Sequence, residues 1–178
     1  MLEQHTLFTV FVTGWLLLGT AVFVLLFFVT APYGRHVRGG WGPTLPSRSG
    51  WFVMEAPAAL VFAGGFVVGA HHDSVAARVF LVMWEAHYVY RAFVYPFTLR
   101  DDGGRMPFSV VGMAVVFNSV NASLNSLWLF DISGGYPGSW LSDPRFLAGL
   151  ALFLAGMTVN RRADGALRRL RAAGGQGY

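Results

Sequence analysis

Five apolar stretches, near 6–29, 51–70, 75–98, 107–130 and 144–160, approach or exceed the roughly 20 helical residues that cross a bilayer. Inside lipid every backbone N–H and C=O must be satisfied within the protein, so such stretches fold as helices. The predicted fold is therefore all-α, an integral membrane bundle of five transmembrane helices. It forms a single transmembrane domain over 1–178, with a basic segment at 161–178. Composition agrees, since 54% of residues are hydrophobic and only 12% are charged. The first stretch lacks the basic leader of a signal peptide, because Glu3 and His5 are its only ionisable side chains, and it reads as a retained helix.

Arginine placement sets the expected orientation. Arg35, Arg38, Arg48, Arg100 and Arg105 fall in the first and third loops, and Arg161, Arg162, Arg168, Arg169 and Arg171 follow the last helix. Only Arg78 and Arg145 mark the opposite side, so the positive-inside rule puts the N-terminus outside and the C-terminus in the cytosol. The net charge of +4 reflects this topology rather than affinity for nucleic acid. All 13 basic residues are arginine, which points to a GC-rich bacterial genome and hence to the bacterial inner membrane, or to the endoplasmic reticulum if the source is eukaryotic.

Polar residues inside these helices are the candidates for function. The second helix carries Glu55 in "WFVMEAP", about one turn beyond Trp51. In "WEAHYVYRAFVYP" the side chains of Trp84, Tyr88, Arg91 and Tyr95 fall on one stripe about 60° wide. The orientation puts Glu55, Tyr88 and Arg91 at a common depth. An arginine there costs on the order of 3 kcal/mol unless it has a partner or water, so it points into the bundle. Two readings stay open at this point: a structural Glu–Arg or Glu–Tyr pair, or a functional cavity. Asn118, Asn121 and Asn125 form an amide stripe on the fourth helix, which serves equally as interhelical glue. After the fifth helix, Asn160, Asp164, Arg168 and Arg171 share a face about 80° wide, suited either to a nucleotide's ribose and phosphates or to anionic lipid.

Other chemistries are set aside. There is no GxGxxG or GxxxxGK[ST], and no cysteine; the five histidines give neither HExxH nor paired intramembrane haem ligands. No metal is expected. His71 and His72 read as solvated loop residues, and His87 as a neighbour of Tyr88 or a packing residue.

The segments "PYGRH", "LPSRSGWFVMEAP", "AHYVYRAFVYP", "NASLN", "YPGSWLSDPRF" and "GMTVNRRADGALRRLR", in this order and at these separations, resemble the steroid 5α-reductase family of membrane enzymes. The resemblance covers nearly the whole chain from Pro32. It implies a seven-helix fold, of which this chain would be the first two-thirds. It also implies NADPH bound from the cytosolic side and reduction of the C4–C5 double bond of a 3-oxo-Δ4 steroid. By the same resemblance, Glu55 and Tyr88 are the catalytic pair at the 3-keto oxygen, with the tyrosine as proton donor. Asn160, Asp164, Arg171, Tyr178 and Tyr33 belong to the cofactor site. Trp51, Met54, Arg91 and Asn121 line the substrate pocket, Met54 standing where relatives often have glutamine. Ala163 and Gly165 replace a serine and a tyrosine of the family pattern. The expected partners are a lipophilic steroid or enone and membrane lipid. A related membrane enoyl or sterol reductase, or a non-catalytic scaffold, are the alternatives.

Overall fold

In the computed structural model the described residues are 2–32, 36, 38–99 and 104–172, with the side chains of 171 and 172 outside that set. Helix α1 spans Leu2–Leu25, α2 Ser47–Val68, α3 Val75–Val89, α4 Tyr95–Thr98, α5 Phe108–Leu127 and α6 Pro144–Ala172. These six helices follow the five predicted stretches in order, α3 and α4 sharing the stretch 75–98, and the all-α membrane bundle stands. Among the described residues, three helices are long and apolar enough to cross a membrane: α1, α2 and the span Phe108–Ile132. The other two predicted spans differ in ways their sequence explains.

The stretch 75–98 is not one helix. Ser74 caps α3, accepting from the Ala77 N–H at 3.0 Å. Past Val89 the chain widens into a π turn, Tyr90–Val94, before the short α4. Pro96 is the cause: it has no N–H to donate and its ring crowds the carbonyl four residues back, so the ladder shifts to a wider bond from the Tyr95 N–H to the Tyr90 carbonyl. The last stretch instead runs past residue 160 to Ala172, because "NRRADGALRRLR" holds good helix formers and lacks proline.

Two loops hide a small sheet. Strand β1, Thr44–Pro46, pairs antiparallel with β2, Arg105–Pro107, in the register Thr44 to Pro107, Leu45 to Met106 and Pro46 to Arg105. Arg105 ties it further, its Nε donating to Thr44 Oγ1 at 2.7 Å and its Nη2 to the Thr44 carbonyl at 2.6 Å. Arg48 donates to the Leu99 carbonyl at 3.1 Å. Each strand ends in a proline that precedes a helix, Pro46 before α2 and Pro107 before α5. Both helices run in the same direction from this clip, since Asn118 meets Met54 nearer their starts and Ser126 meets Gly65 farther along.

Small residues let them run close together. A Cβ at Gly65 would collide with the Ser126 side chain, and one at Gly69 would lie 2.6 Å from the Phe130 Cβ. The antiparallel α3 closes the core. Phe62 stacks on Trp84 at 4.3 Å and meets Phe130 edge-on at 5.2 Å, with Ala77 and Ala122 beneath them. The Trp84 indole N–H donates to the Ala58 carbonyl at 2.8 Å. A second cluster, Met54, Met106 and Val111, sits under the clip.

Candidate functional site

Glu55 lies eight residues into α2, about 12 Å from its start, deeper than the single turn counted from Trp51. Arg91 sits in the π turn, and the shift of register there carries its side chain inward toward α2. Its Nη2 is 3.4 Å from Glu55 Oε1, and its Nη1 is 3.5 Å from Asp164 Oδ2 on α6. All three side chains are nearly enclosed, at 13%, 13% and 12% exposure for Arg91, Glu55 and Asp164. The guanidinium also lies 4.5 Å from the Trp51 ring centre and 4.6 Å from that of Tyr95. Trp51 and Tyr95 meet edge to face at 5.1 Å, forming an aromatic slot around the cation.

One arginine thus binds two carboxylates from different helices. A planar fork of donors suits this, because each edge can face a separate acid while the ring faces cover the plane. Removing water from the slot strengthens both attractions, and each charge has an opposite partner.

The amide stripe completes the floor. Asn118 is buried and donates to the Met54 carbonyl at 2.5 Å, while its amide lies beside Glu55. Asn121 lies beside the Tyr88 phenol, and Glu55 is close enough to act on that phenol through its charge. Asn125 instead bonds within its own helix, to the Asn121 carbonyl at 2.8 Å. So the stripe divides by depth, with two amides facing the acid and phenol and the third behind them, donating also to the Asn121 side-chain oxygen at 3.2 Å. Tyr88 is packed between Trp84, at 4.8 Å, and His87, at 4.9 Å and nearly perpendicular.

The expected site residues fall into three groups. Glu55, Tyr88, Arg91, Trp51, Asn121 and Asp164 come together around the slot. Met54 does not; its side chain is in the clip cluster with Met106 and Val111, because one residue along a helix turns about 100° away from Glu55. Asn160 is exposed on α6 one turn from Asp164. Tyr33, Tyr178 and the Arg171 side chain lie outside the described residues. Two features were missed by sequence reasoning. Arg161 packs over the Tyr90 ring at 4.4 Å, docking α6 onto the π turn. Glu85 lies on another side of α3, where its buried Oε1 has no hydrogen-bond partner among the described residues.

On the α6 side of this site Asp164 Oδ2 is buried and makes no hydrogen bond beyond its ion contact with Arg91, and Asn160 is exposed one turn away. Among the described residues no group of histidines and acids is arranged to hold a metal.

The family described as 3-oxo-5-alpha-steroid 4-dehydrogenase matches residues 104–178. The chain is 39% identical over 165 residues to 3-oxo-5-alpha-steroid 4-dehydrogenase 1 of Bos taurus, covering 90% of this chain and 63% of the relative. It is 34% identical over 181 residues to steroid 5-alpha-reductase DET2 of Gossypium hirsutum, covering 100% of this chain and 70% of the relative. The Homo sapiens 3-oxo-5-alpha-steroid 4-dehydrogenase 1 is 35% identical over 162 residues, and the chain spans 62% of its length.

Proposed function

The chain belongs to the steroid 5α-reductase family, and we propose that it takes part in NADPH-dependent reduction of the C4–C5 double bond of a 3-oxo-Δ4 steroid inside the membrane. The observation that carries this reading is the Arg91 bridge from Glu55 to Asp164, which joins an acid beside Tyr88 to an acid suited to ribose. By the distribution of arginines, the reading puts the N-terminus outside and the α6 face toward the cytosol, with the bacterial inner membrane as the site of action.

The chemistry asks for an anion site at one place. An enone accepts hydride at C5 only as negative charge gathers on its 3-keto oxygen. When bound, reduced nicotinamide supplies that hydride. Tyr88 holds a phenolic proton toward the ketone oxygen, stabilising the charge as it forms, and a proton arriving at C4 completes the saturation. Asn121 fixes the phenol from the α5 side. Glu55 is itself held by Arg91 and by the Asn118 amide, so it forms a rigid polar wall that orients Tyr88. The walls of Trp51, Trp84 and Tyr95 exclude water, which raises the worth of each hydrogen bond. Asp164 and Asn160 serve as acceptor and amide for the nucleotide.

The test is direct. Detergent-purified protein is mixed with NADPH and a 3-oxo-Δ4 steroid, nicotinamide absorbance is followed, and the product is identified by mass. Turnover should fall about 100-fold or more in Tyr88→Phe, the usual cost of losing one such donor. It should fall in Glu55→Gln and stay unchanged in His72→Ala. Asp164→Asn should weaken NADPH binding, read by nicotinamide fluorescence, by about tenfold. Wild-type turnover that survives Tyr88→Phe intact overturns the assignment.

A further inference from the structure

We propose that the gap between α1 and α5 is a binding site for one amine-bearing phospholipid, with an acyl chain in the gap and the ammonium group at Asp131. Helix α1 has no buried residue along its 24 residues, and only Phe8, Val12 and Trp15 are half-buried. Two aromatic pairs hold it off α5: Phe8 stacks on Trp128 at 5.6 Å, and Trp15 stacks on Phe117 at 6.1 Å. Beside the Phe8–Trp128 pair, from Gln4 to Phe11 on α1 and from Ser119 to Ile132 opposite, runs a cavity of about 580 Å³, inside the range of roughly 300–1,000 Å³ typical of small-molecule sites.

Its walls match an amphiphile. On α5 the small side chains of Ser119 and Ser123, one turn apart, make the wall recede, while Leu7, Phe11 and Leu124 supply apolar lining. A hollow of this kind in a membrane helix pair forfeits dispersion contacts unless something apolar fills it, and the surrounding solvent is lipid tail. Polar groups gather at one end, Gln4 from α1 and Asp131 from the close of α5. That end is at interface level, for the Trp128 indole donates to the Tyr136 hydroxyl at 3.0 Å, the position such rings favour.

Charge selects the headgroup. Asp131 forms no ion pair among the described residues, and Glu3 lies at the same end of α1. The described arginines on this face are already engaged: Arg78 donates to the Asp73 carbonyl at 3.0 Å, and Arg145 binds Asp143 at 2.8 Å. An exposed acid with no ion-pair partner among the described residues attracts an ammonium headgroup and repels an anionic one; His5, packed edge-on against Trp128 at 6.4 Å, is the described titratable base at this end.

The experiment uses the full chain in nanodiscs of equal phosphatidylethanolamine and phosphatidylglycerol, released into native mass spectrometry. One phosphatidylethanolamine should stay bound, and a diazirine-tailed analogue should label peptides spanning 4–11 and 119–131. The preference over phosphatidylglycerol should drop about fivefold in Asp131→Asn, the size of one partly exposed charge-assisted hydrogen bond. The double variant Ser119→Leu, Ser123→Leu should lose the adduct while keeping its far-ultraviolet circular dichroism. Equal retention of phosphatidylglycerol by wild type, labelling confined to other segments, or retention by a folded double variant overturns the proposal. So does displacement of the lipid by a 3-oxo-Δ4 steroid, which would assign the gap to substrate. The labelling and displacement arms need only wild-type protein, so they decide the matter even if the variants fail to fold.

Discussion

Helix α5, with the π turn Trp128–Ile132 that prolongs it, has a neighbour on either side and meets them differently. Toward α2 it presents Asn118, Ala122, Ser126 and Phe130, and these sit against Met54, Phe62, Gly65 and Gly69 with no space for another methyl group at the two glycines. Toward α1 it presents Phe117 and Trp128, which touch Trp15 and Phe8 and leave a hollow beside the Phe8–Trp128 pair. Both seams lie in the same solvent, where lipid tails are as apolar as leucine and burial alone drives nothing together. What separates them is side-chain size and one amide. Close approach needs glycine, alanine and serine on both faces, and the Asn118 bond to the Met54 carbonyl then fixes the register. The proposed catalytic groups all sit behind the close seam.

The contrast can be broken most forcefully at its polar end. Arg91→Met would leave the Glu55 and Asp164 carboxylates enclosed without their cation, and removal of one partner from such a cluster costs about 3–5 kcal/mol. The midpoint of unfolding in mixed micelles should drop accordingly; an unchanged midpoint would mean the cluster is wet. A steric test comes next. Gly65→Val drives a side chain into Ser126 and should destabilise by about 1–3 kcal/mol in the same assay. The matching change in α1, Gly14→Ala, meets nothing within 4 Å and should shift stability by no more than about 1 kcal/mol, toward greater stability through helix propensity. Equal losses at Gly65 and Gly14 would erase the distinction between the seams.

The smallest effect lies outside both seams, at the start of α6. Arg145 donates to Asp143 from its side chain and from its backbone N–H, and these bonds lower the Asp143 carboxyl pKa to about 2. The folded value is depressed, so this local contribution is complete above the ordinary aspartate range and disappears as pH falls through about 2. Carboxyl resonances should titrate there in wild type, and the midpoint should rise toward the ordinary value in Arg145→Gln.

The helices were legible in number of spans because each apolar stretch is long, but the break at Tyr90–Val94 and the run of α6 to Ala172 were not, since apolar length alone registers neither a π turn nor a polar continuation of a helix. The clip was not, since three-residue strands carry no period and their bonds join residues some sixty positions apart. Arg48 and Arg105, read as topology signals, also act as ties to backbone carbonyls. At the site, the shared depth of Glu55 and Arg91 followed from counting turns. The second acid, Asp164, did not: it comes from α6, which packs on the π turn through Arg161 over Tyr90. Local pattern also could not tell that Asn118 and Asn121 face the acid and phenol while Asn125 backs Asn121.

The three-residue pairing at Thr44–Pro46 and Arg105–Pro107 has a consequence for how such a chain can vary. It is a common zero mark from which two long rods are measured. One residue inserted after Pro107 would rotate everything beyond it by about 100° and advance it by about 1.5 Å, sending both amides away from the groups they steady. Insertions farther along, past Ile132, would leave that alignment untouched, so tolerance to added length should change abruptly between the two ends of the same rod.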